Sequence, residues 1–415
     1  MNYSPETARP VVIVDAYSTG ALLARAISES RPCIHVCSRA EIPPLDRPSF
    51  VEELFIKCFV YDGENLEALV GELSLLQPFA VVAGSEMGVG FADALAAGLG
   101  IVGNCSSTSA QRRNKFEMSS AVGRAGLPTA SQIRGSDQER LLDWYRSQAS
   151  NRIVVKPLDS AGSEDVFVCD DEAQVLSAIQ KILGSTNCMF GNNEQVLLQE
   201  YLQGPEYVVN SVSVSGRHWI TDSWQANKRL IPGGRNIYDF DELVDPHVPA
   251  MDRVFAYVEG VLNALGIEHG PGHTELILTE SGPRLLETGA RVSGAANPFA
   301  IRLATGSDQI EFATVACLDP QALEQRPSRY PRIKHSLCVH MIVHREGILD
   351  RNAILKQIKK LPSFVSAKFR LGDSQHIGKT VDVDTCPGAF FIVHEDPERL
   401  RQDYDTYREW ELATM

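Results

Sequence analysis

The sequence predicts a mixed α/β and α+β chain, with a parallel α/β region first and antiparallel sheets after it, on three observations. The first is a strand, loop and helix pattern that occurs twice near the N-terminus. PVVIVDAYSTGALLARAISES leads into the strand CIHVC (33–37), and FAVVAGSE leads into MGVGFADALAAGLG. Short β-branched runs followed by amphipathic helices return the chain in parallel, so helices are expected on both faces of the sheet up to about residue 110. The second is the pair EYVVNSVSVSG (206–216) and HWITDSWQANK (218–228), which are joined by a short turn and read as antiparallel. The third is HTELILT and PRLLETG around Glu280-Ser281-Gly282, which reads as a hairpin with Gly282 in the left-handed position.

The remaining elements follow in order. NKFEMSSAVGRAGLP is a helix leading to Pro128, RIVVKPL (152–158) and VLLQEYL (196–202) are strands, and LIPGGRN (230–236) reads as a surface loop. From residue 331 the strand SLCVHMIVH, a helix around Asn352 to Lys360, strands near Ser366 to Arg370 and Ala389 to His394, and a charged last helix predict a small C-terminal α+β domain. The expected domains are therefore 1–110, 111–330 and 331–415. The first loop, DAYSTG, is not GxGxxG, so a dinucleotide site is not expected there.

Composition narrows the function. With 415 residues and 44% hydrophobic content the chain can bury sizeable cores. A net charge of −14 and a pI near 5.2, without basic runs, argue against nucleic acid or an anionic membrane as partner. The nine cysteines are scattered with no CxxC pair, so neither a disulfide framework nor a zinc site is indicated, and a reducing cytoplasm is the expected compartment. MNYSPETARP lacks the basic and apolar regions of a secretory leader, and the apolar stretch 79–103 is broken by Ser85, Glu86 and Asp93.

Several residues then stand out. Lys156 ends a buried-looking strand before the small loop Ser160 to Ser163, whose backbone N–H groups, Gly162 included, suit a polyphosphate; the alternative is a lysine snorkelling beside an ordinary turn. In QEYLQGPE, Glu200, Tyr201 and Leu202 present a strand edge to a purine, and Glu206 can accept from ribose hydroxyls; a surface turn with solvated acids is the alternative. A three-residue loop at 280–282 would set Glu275 opposite Glu287, and a two-residue turn at Ser281-Gly282 would instead set Glu275 opposite Thr288. Two facing carboxylates repel unless a cation lies between them, and oxygen-only ligands suit Mg2+ or Mn2+. Arg291 follows, where it can neutralise a transferred phosphoryl group. His273 shares the face of Glu275 and is placed to meet a substrate carboxylate or an acyl phosphate, or is simply a packed strand histidine. Glu86 follows a strand where α/β folds open their crevice and can pair with a substrate ammonium, or cap a helix. Ser293 and Gly294 offer backbone or hydroxyl donors, while Lys228 and Arg229 are weaker candidates as basic residues at a strand end.

Taken in this order, RRNKFEM, VVKPLDSAG, QEYLQGPE and HTELILTESGPRLLETGAR resemble the ATP-grasp carboxylate–amine ligases over roughly residues 80–300. VVAGSEMGV, HTE, ETGARVSG and, in the last region, LPSF and DTCPGAFFIVH look most like the L-amino-acid ligases that make dipeptides and dipeptide antibiotics. The resemblance implies an ATP-grasp fold with a mobile nucleotide-covering subdomain at about 125–200. It implies ATP phosphates held by Lys115 and Lys156 under the loop Ser160, Gly162 and Ser163. Adenine would meet Glu200 and Leu202, ribose Glu206, Mg2+ Glu275 and Glu287, and the acyl phosphate Arg291. Many relatives carry Asn two residues after the second Glu as a further metal ligand; here that residue is Gly289. Amino acids, as small-molecule substrates, are implied; γ-glutamyl or other acid–amino-acid ligation and a catalytically inactive nucleotide-binding module are the rival readings, and a homodimer is one option for assembly.

Overall fold

The computed structural model describes residues 9–42, 46–160, 164–187, 191–231, 235–294, 297–383 and 385–415. In the first region β1 (Val11–Val14), β2 (Cys33–Cys37), β3 (Phe55–Val60) and β4 (Ala80–Ala83) form a parallel sheet in the order β3-β2-β1-β4. Alternate residues of β1 serve opposite faces. Val12 and Val14 pack against α2 (Leu66–Leu75) and α3 (Val89–Leu99), whereas Val11 and Ile13 pack against α1 (Thr19–Ser28). The first turn of α1 touches the loop after β4: a Cβ on Gly20 would lie 2.0 Å from the Gly84 carbonyl oxygen, so only glycine allows this approach, which fixes the loop carrying Glu86.

The chain then passes through α4 (Lys115–Arg124) into a small four-stranded sheet. It is built from β5 (Gln132–Gly135), β6 (Ile153–Pro157), β7 (Phe167–Cys169) and β8 (Val196–Glu200), in the order β5-β8-β6-β7. The helices α5 (Gln138–Arg146) and α6 (Glu172–Ile182) cover one face with Leu141, Leu142, Val175, Ile179 and Ile182. Both keep a carboxylate cap, Asp137 and Asp171, on the first-turn N–H groups.

The largest sheet combines the middle and the end of the chain. It uses β9 (Glu206–Val214), β10 (Arg217–Ile231), β11 (Arg235–Leu243), β12 (Gly270–Thr279) and β13 (Gly282–Gly289), with α7 (Pro249–Ala264) crossing after β11. Val254, Phe255, Val258, Val261 and Leu262 of α7 pack with Leu276 and Leu285 of the hairpin and Met118 and Val122 of α4. After α8 (Pro298–Thr305) and α9 (Gln309–Leu318), the latter on the same core as α1, the chain adds β14 (His335–His340). It continues through β15 (Gly347–Ile348), α10 (Arg351–Ile358), β16 (Phe364–Phe369), β17 (His376–Ile377), β18 (Gly388–His394) and α11 (Pro397–Thr414). Among the described residues the resulting order is β13-β12-β9-β10-β11-β14-β18-β16, eight strands, with β15 and β17 paired apart. The C-terminal strands thus extend the central sheet, while Leu337, Val339, Phe390 and Ile392 form a separate core with α10 and α11.

Two expectations need correction. LIPGGRN is not wholly loop, because β10 includes Leu230 and Ile231 and β11 starts at Arg235; residues 232–234 lie outside the described residues. The β12–β13 hairpin has a two-residue loop, Glu280-Ser281, since Thr279 pairs with Gly282. Its register nevertheless shifts between Glu275 and Leu276: Leu276 pairs with Leu285 and Glu275 with Glu287, leaving Leu286 as the extra residue of a bulge. The bulge, and not the loop length, brings the two carboxylates opposite each other. Among the described residues no helix is long and apolar enough to cross a membrane.

Candidate active site

The hairpin bulge sets the first part of the site. Glu275 and Glu287 stand side by side on a partly buried stretch of sheet, an oxygen-only donor pair. Burial alone would raise the Glu275 pKa, but the His273 hydrogen bond and the nearby Lys228 ammonium outweigh it and hold the carboxyl at about 2, fully ionised near neutrality. Lys115 reaches Glu287 at 3.0 Å and donates to the Ser160 carbonyl at 2.7 Å. It is placed there by two local devices. Asn114 caps α4 by accepting from the N–H groups of Phe116 and Glu117, and the Lys115 N–H donates to Leu158 O at 3.0 Å, tying the helix start to the end of β6.

Lys156, on β6, is buried, and its ammonium has no hydrogen bond or ion pair among the described residues. Burial and the neighbouring Lys115 lower its pKa to about 8. An ammonium that is desolvated and lacks a partner is poised for an anion, which disfavours a snorkelling lysine. Ser160 is buried and its carbonyl is held by Lys115; Gly162 and Ser163, named from the sequence as the phosphate cover, lie outside the described residues.

Lys228 and Glu206 pair at 2.6 Å, both largely buried. Lys228 therefore does not behave as a solvated strand-end cation: the pairing with Tyr238 and Glu206 overcomes burial and lifts its pKa well above the usual lysine value. Arg229 does turn away, to Asp239 at 2.7 Å. At the proposed purine edge, the Glu200 N–H already donates to Ser131 O at 2.9 Å and its carboxylate accepts the Ser131 N–H at 3.0 Å. The Leu202 N–H has no acceptor among the described residues, and its side chain is buried against Ala130 and Ile277. Tyr201 lies under the Arg152 guanidinium at 5.3 Å.

Glu86 departs from its sequence reading. It neither caps a helix nor waits for an ammonium: its carboxylate binds Arg291 Nε at 2.8 Å and Arg113 Nη1 at 3.1 Å, and the Glu86 carbonyl also accepts from Arg113. Burial opposes ionisation, but the two guanidiniums hold its pKa below the usual carboxylate value. Arg113 also binds Asp159 at 2.8 Å. Gly289 makes this possible, since a Cβ there would fall 2.6 Å from Glu86 Oε2. The Ser293 N–H is likewise committed, to Gln309 Oε1 at 2.8 Å, so of Ser293 only the hydroxyl remains as a donor; Gly294 is exposed.

Sequence reasoning missed Arg113, Asn210 and Asp222. Arg113 stood in RRNKFEM, where its neighbour Arg112 is a fully buried tie to Asp93 and Leu265 O. Asn210 donates to the buried Asp222, which also accepts from Trp224 and Thr221. Its amide oxygen must then face His273 Nδ1, at 2.8 Å, as acceptor. His273 Nε2 lies 3.3 Å from Glu275 Oε1, so the ring has a polar neighbour at each nitrogen.

Comparison with known proteins agrees with this arrangement. The sequence model of the phosphoribosylglycinamide synthetase ATP-grasp (A) domain matches residues 113–238. Dapdiamide A synthase of Enterobacter agglomerans is 32% identical over 97% of this chain and 95% of its own. The fold matches that of the L-amino acid ligase from Bacillus licheniformis with a TM-score of 0.76 at 18% identity, over 97% of each chain. It also matches the biotin carboxylase domain of Hydrogenobacter thermophilus 2-oxoglutarate carboxylase, solved with MgADP and bicarbonate, with a TM-score of 0.64 at 13% identity over 94% of this chain and 87% of that one. Similarity that spans nearly both full lengths, on a fold that brings the lysines and glutamates of the four sequence segments together, means that the chain belongs to the ATP-grasp ligases, ATP-dependent enzymes that join a carboxylate to an amine.

Proposed function

We propose that this ligase activates the carboxylate of one amino acid, or an amino-acid-like acid, as an acyl phosphate and passes it to the amine of a second, giving a dipeptide or dipeptide-like amide, ADP and phosphate. The observation that carries the reading is the facing pair Glu275 and Glu287, ringed by Lys115, Lys156, Lys228 and Arg291. Members of the family use ATP with Mg2+. The donor set fits that ion, because both carboxylates are hard oxygen ligands and at least Glu275 is ionised. Bound there with the nucleotide, Mg2+ (or Mn2+) would neutralise phosphate charge.

The chain's own groups account for the rest. Lys115 and Lys156 hold phosphate oxygens, and Lys156 gains most because its ammonium is otherwise unpaired. Glu206 takes the ribose, and the Leu202 N–H takes the adenine edge. Arg291, steadied by Glu86, stands beyond the second glutamate where charge develops on the transferred phosphoryl group. No covalent nucleophile of the protein is required. An α-amino group has a pKa near 8, so part of the amine is already neutral and positioning is the main demand. The dipeptide reading also rests on the similarity to dapdiamide A synthase.

The test is a pairwise amino-acid panel with ATP and Mg2+, reading phosphate release and identifying products by mass spectrometry. Amine-dependent phosphate release with a condensed product is expected for at least one pair. Release of no ADP with any pair would overturn the amino-acid reading.

A further inference from the structure

Away from the hairpin, the central sheet assembles a second group of donors. Asp241 on β11 stands directly opposite Cys338 on β14, and His340 follows two residues along β14. Leu337 and Val339 face the C-terminal core, so Cys338 and His340 face the other side of the sheet. One ligand atom from each of Asp241, Cys338 and His340 lies within 4.8 Å of the others. His340 Nε2 and Asp241 Oδ2 are 2.8 Å apart, Cys338 is 2% exposed, and the Tyr238 ring covers His340 at 5.1 Å. The second carboxylate oxygen, Asp241 Oδ1, is buried with no hydrogen-bond partner among the described residues. Such an oxygen is costly unless something satisfies it.

We propose that Asp241, Cys338 and His340 bind a divalent metal ion of the zinc class, at a site separate from the carboxylate pair of the hairpin. A thiolate, a carboxylate and a neutral imidazole carry two negative charges, which a dication balances in a place where unpaired charge is expensive. The sulfur and nitrogen donors select zinc or cobalt over magnesium, which prefers oxygen alone. Tetrahedral coordination at 2.0–2.3 Å asks the Asp241–His340 pair to open by only about half an ångström. Three protein ligands leave a fourth position for water or a small molecule. Binding would displace one proton from the Cys338 thiol and one from the His340 imidazolium, both released to solvent.

The experiment is a Co2+ titration of the chelator-treated full chain in saturating Mg2+, followed by absorption. One equivalent should produce a thiolate-to-cobalt charge-transfer band in the near ultraviolet and visible bands of tetrahedral cobalt, both removed by one equivalent of Zn2+. Cys338→Ser, nearly isosteric, should lose the charge-transfer band. Asp241→Asn, on another strand, should keep the band but weaken Co2+ binding by at least about tenfold. No charge-transfer band in the unaltered protein, or a band that persists in Cys338→Ser and so belongs to another of the nine cysteines, overturns the proposal.

Discussion

Two pairs of side chains on the eight-stranded sheet share one geometry and differ in almost everything else. Glu275 faces Glu287 within a single hairpin, whereas Asp241 faces Cys338 across strands separated by α7, the hairpin and two more helices. The first pair is hard, oxygen-only and surrounded by Lys115, Lys156 and Lys228, as suits an ion that arrives with phosphate and leaves with it. The second is a largely buried sulfur, nitrogen and oxygen set with the Tyr238 ring against His340, as suits the softer ion proposed for it. Facing position on a sheet therefore supplies proximity, and the surrounding charge decides what that proximity is for.

The sharpest way to break this contrast is Glu287→Ala. Amine-dependent phosphate release should fall by about 10²–10³-fold or more, in line with losing a preorganised charge partner of a phosphoryl group. Release that stayed intact would remove the hairpin pair from the chemistry. Next in size is Gly289→Ala, whose Cβ would collide with Glu86 Oε2 and push it off Arg291. Turnover should drop about 10²-fold through misplacement of Arg291, with little change in the melting temperature. Unchanged turnover would show that the Glu86–Arg291 contact is not needed.

A pH profile sharpens the role of the lysines. With its pKa near 8, Lys156 is charged below that pH and loses its charge as pH rises through it. The kcat/KM for ATP should accordingly fall above about pH 8, and Lys156→Arg, which keeps its charge, should shift that limb upward. A limb that did not move would assign the titration elsewhere.

Asn210→Ala is smaller. It removes the donor to buried Asp222 and the acceptor for His273 together, and should cost about 1–3 kcal/mol in denaturant unfolding. The smallest expected effect is Asn114→Ala, about 1 kcal/mol by thermal unfolding, from loss of the cap that begins α4 at Lys115. A loss of ATP affinity beyond that stability change would show that the cap also aims the lysine.

How much was legible depends on distance along the chain. The parallel start, the strands around Lys156 and Glu206 and the hairpin could be read because hydrophobic period and turn residues act over a few positions. The reading of the hairpin reached the right pairing through the wrong device: Glu280-Ser281 is a two-residue loop, and the bulge at Leu286 restores the register. A bulge leaves no composition signal in a run such as PRLLETG. Glu86 was read as a partner for a substrate ammonium, and the fold instead pairs it with Arg113 and Arg291, which reach it from α4's approach and from the end of the hairpin. Lys228 was undervalued for the same reason, since its burial comes from β11 and β9.

The sequence by itself determined the order of elements and the segments that carry the charged residues of the proposed site, since local periodicity and short motifs are set by neighbours along the chain. Only the tertiary structure decided which charges are already spent and which are left for a ligand. It clamps Glu86 between two guanidiniums, commits the Ser293 N–H to Gln309, and leaves buried Lys156 without a partner among the described residues. It also brings Asp241 against Cys338 and His340. Burial and long-range pairing fix the cost of an unpaired charge or donor, and neither is a property of a residue's neighbours in sequence.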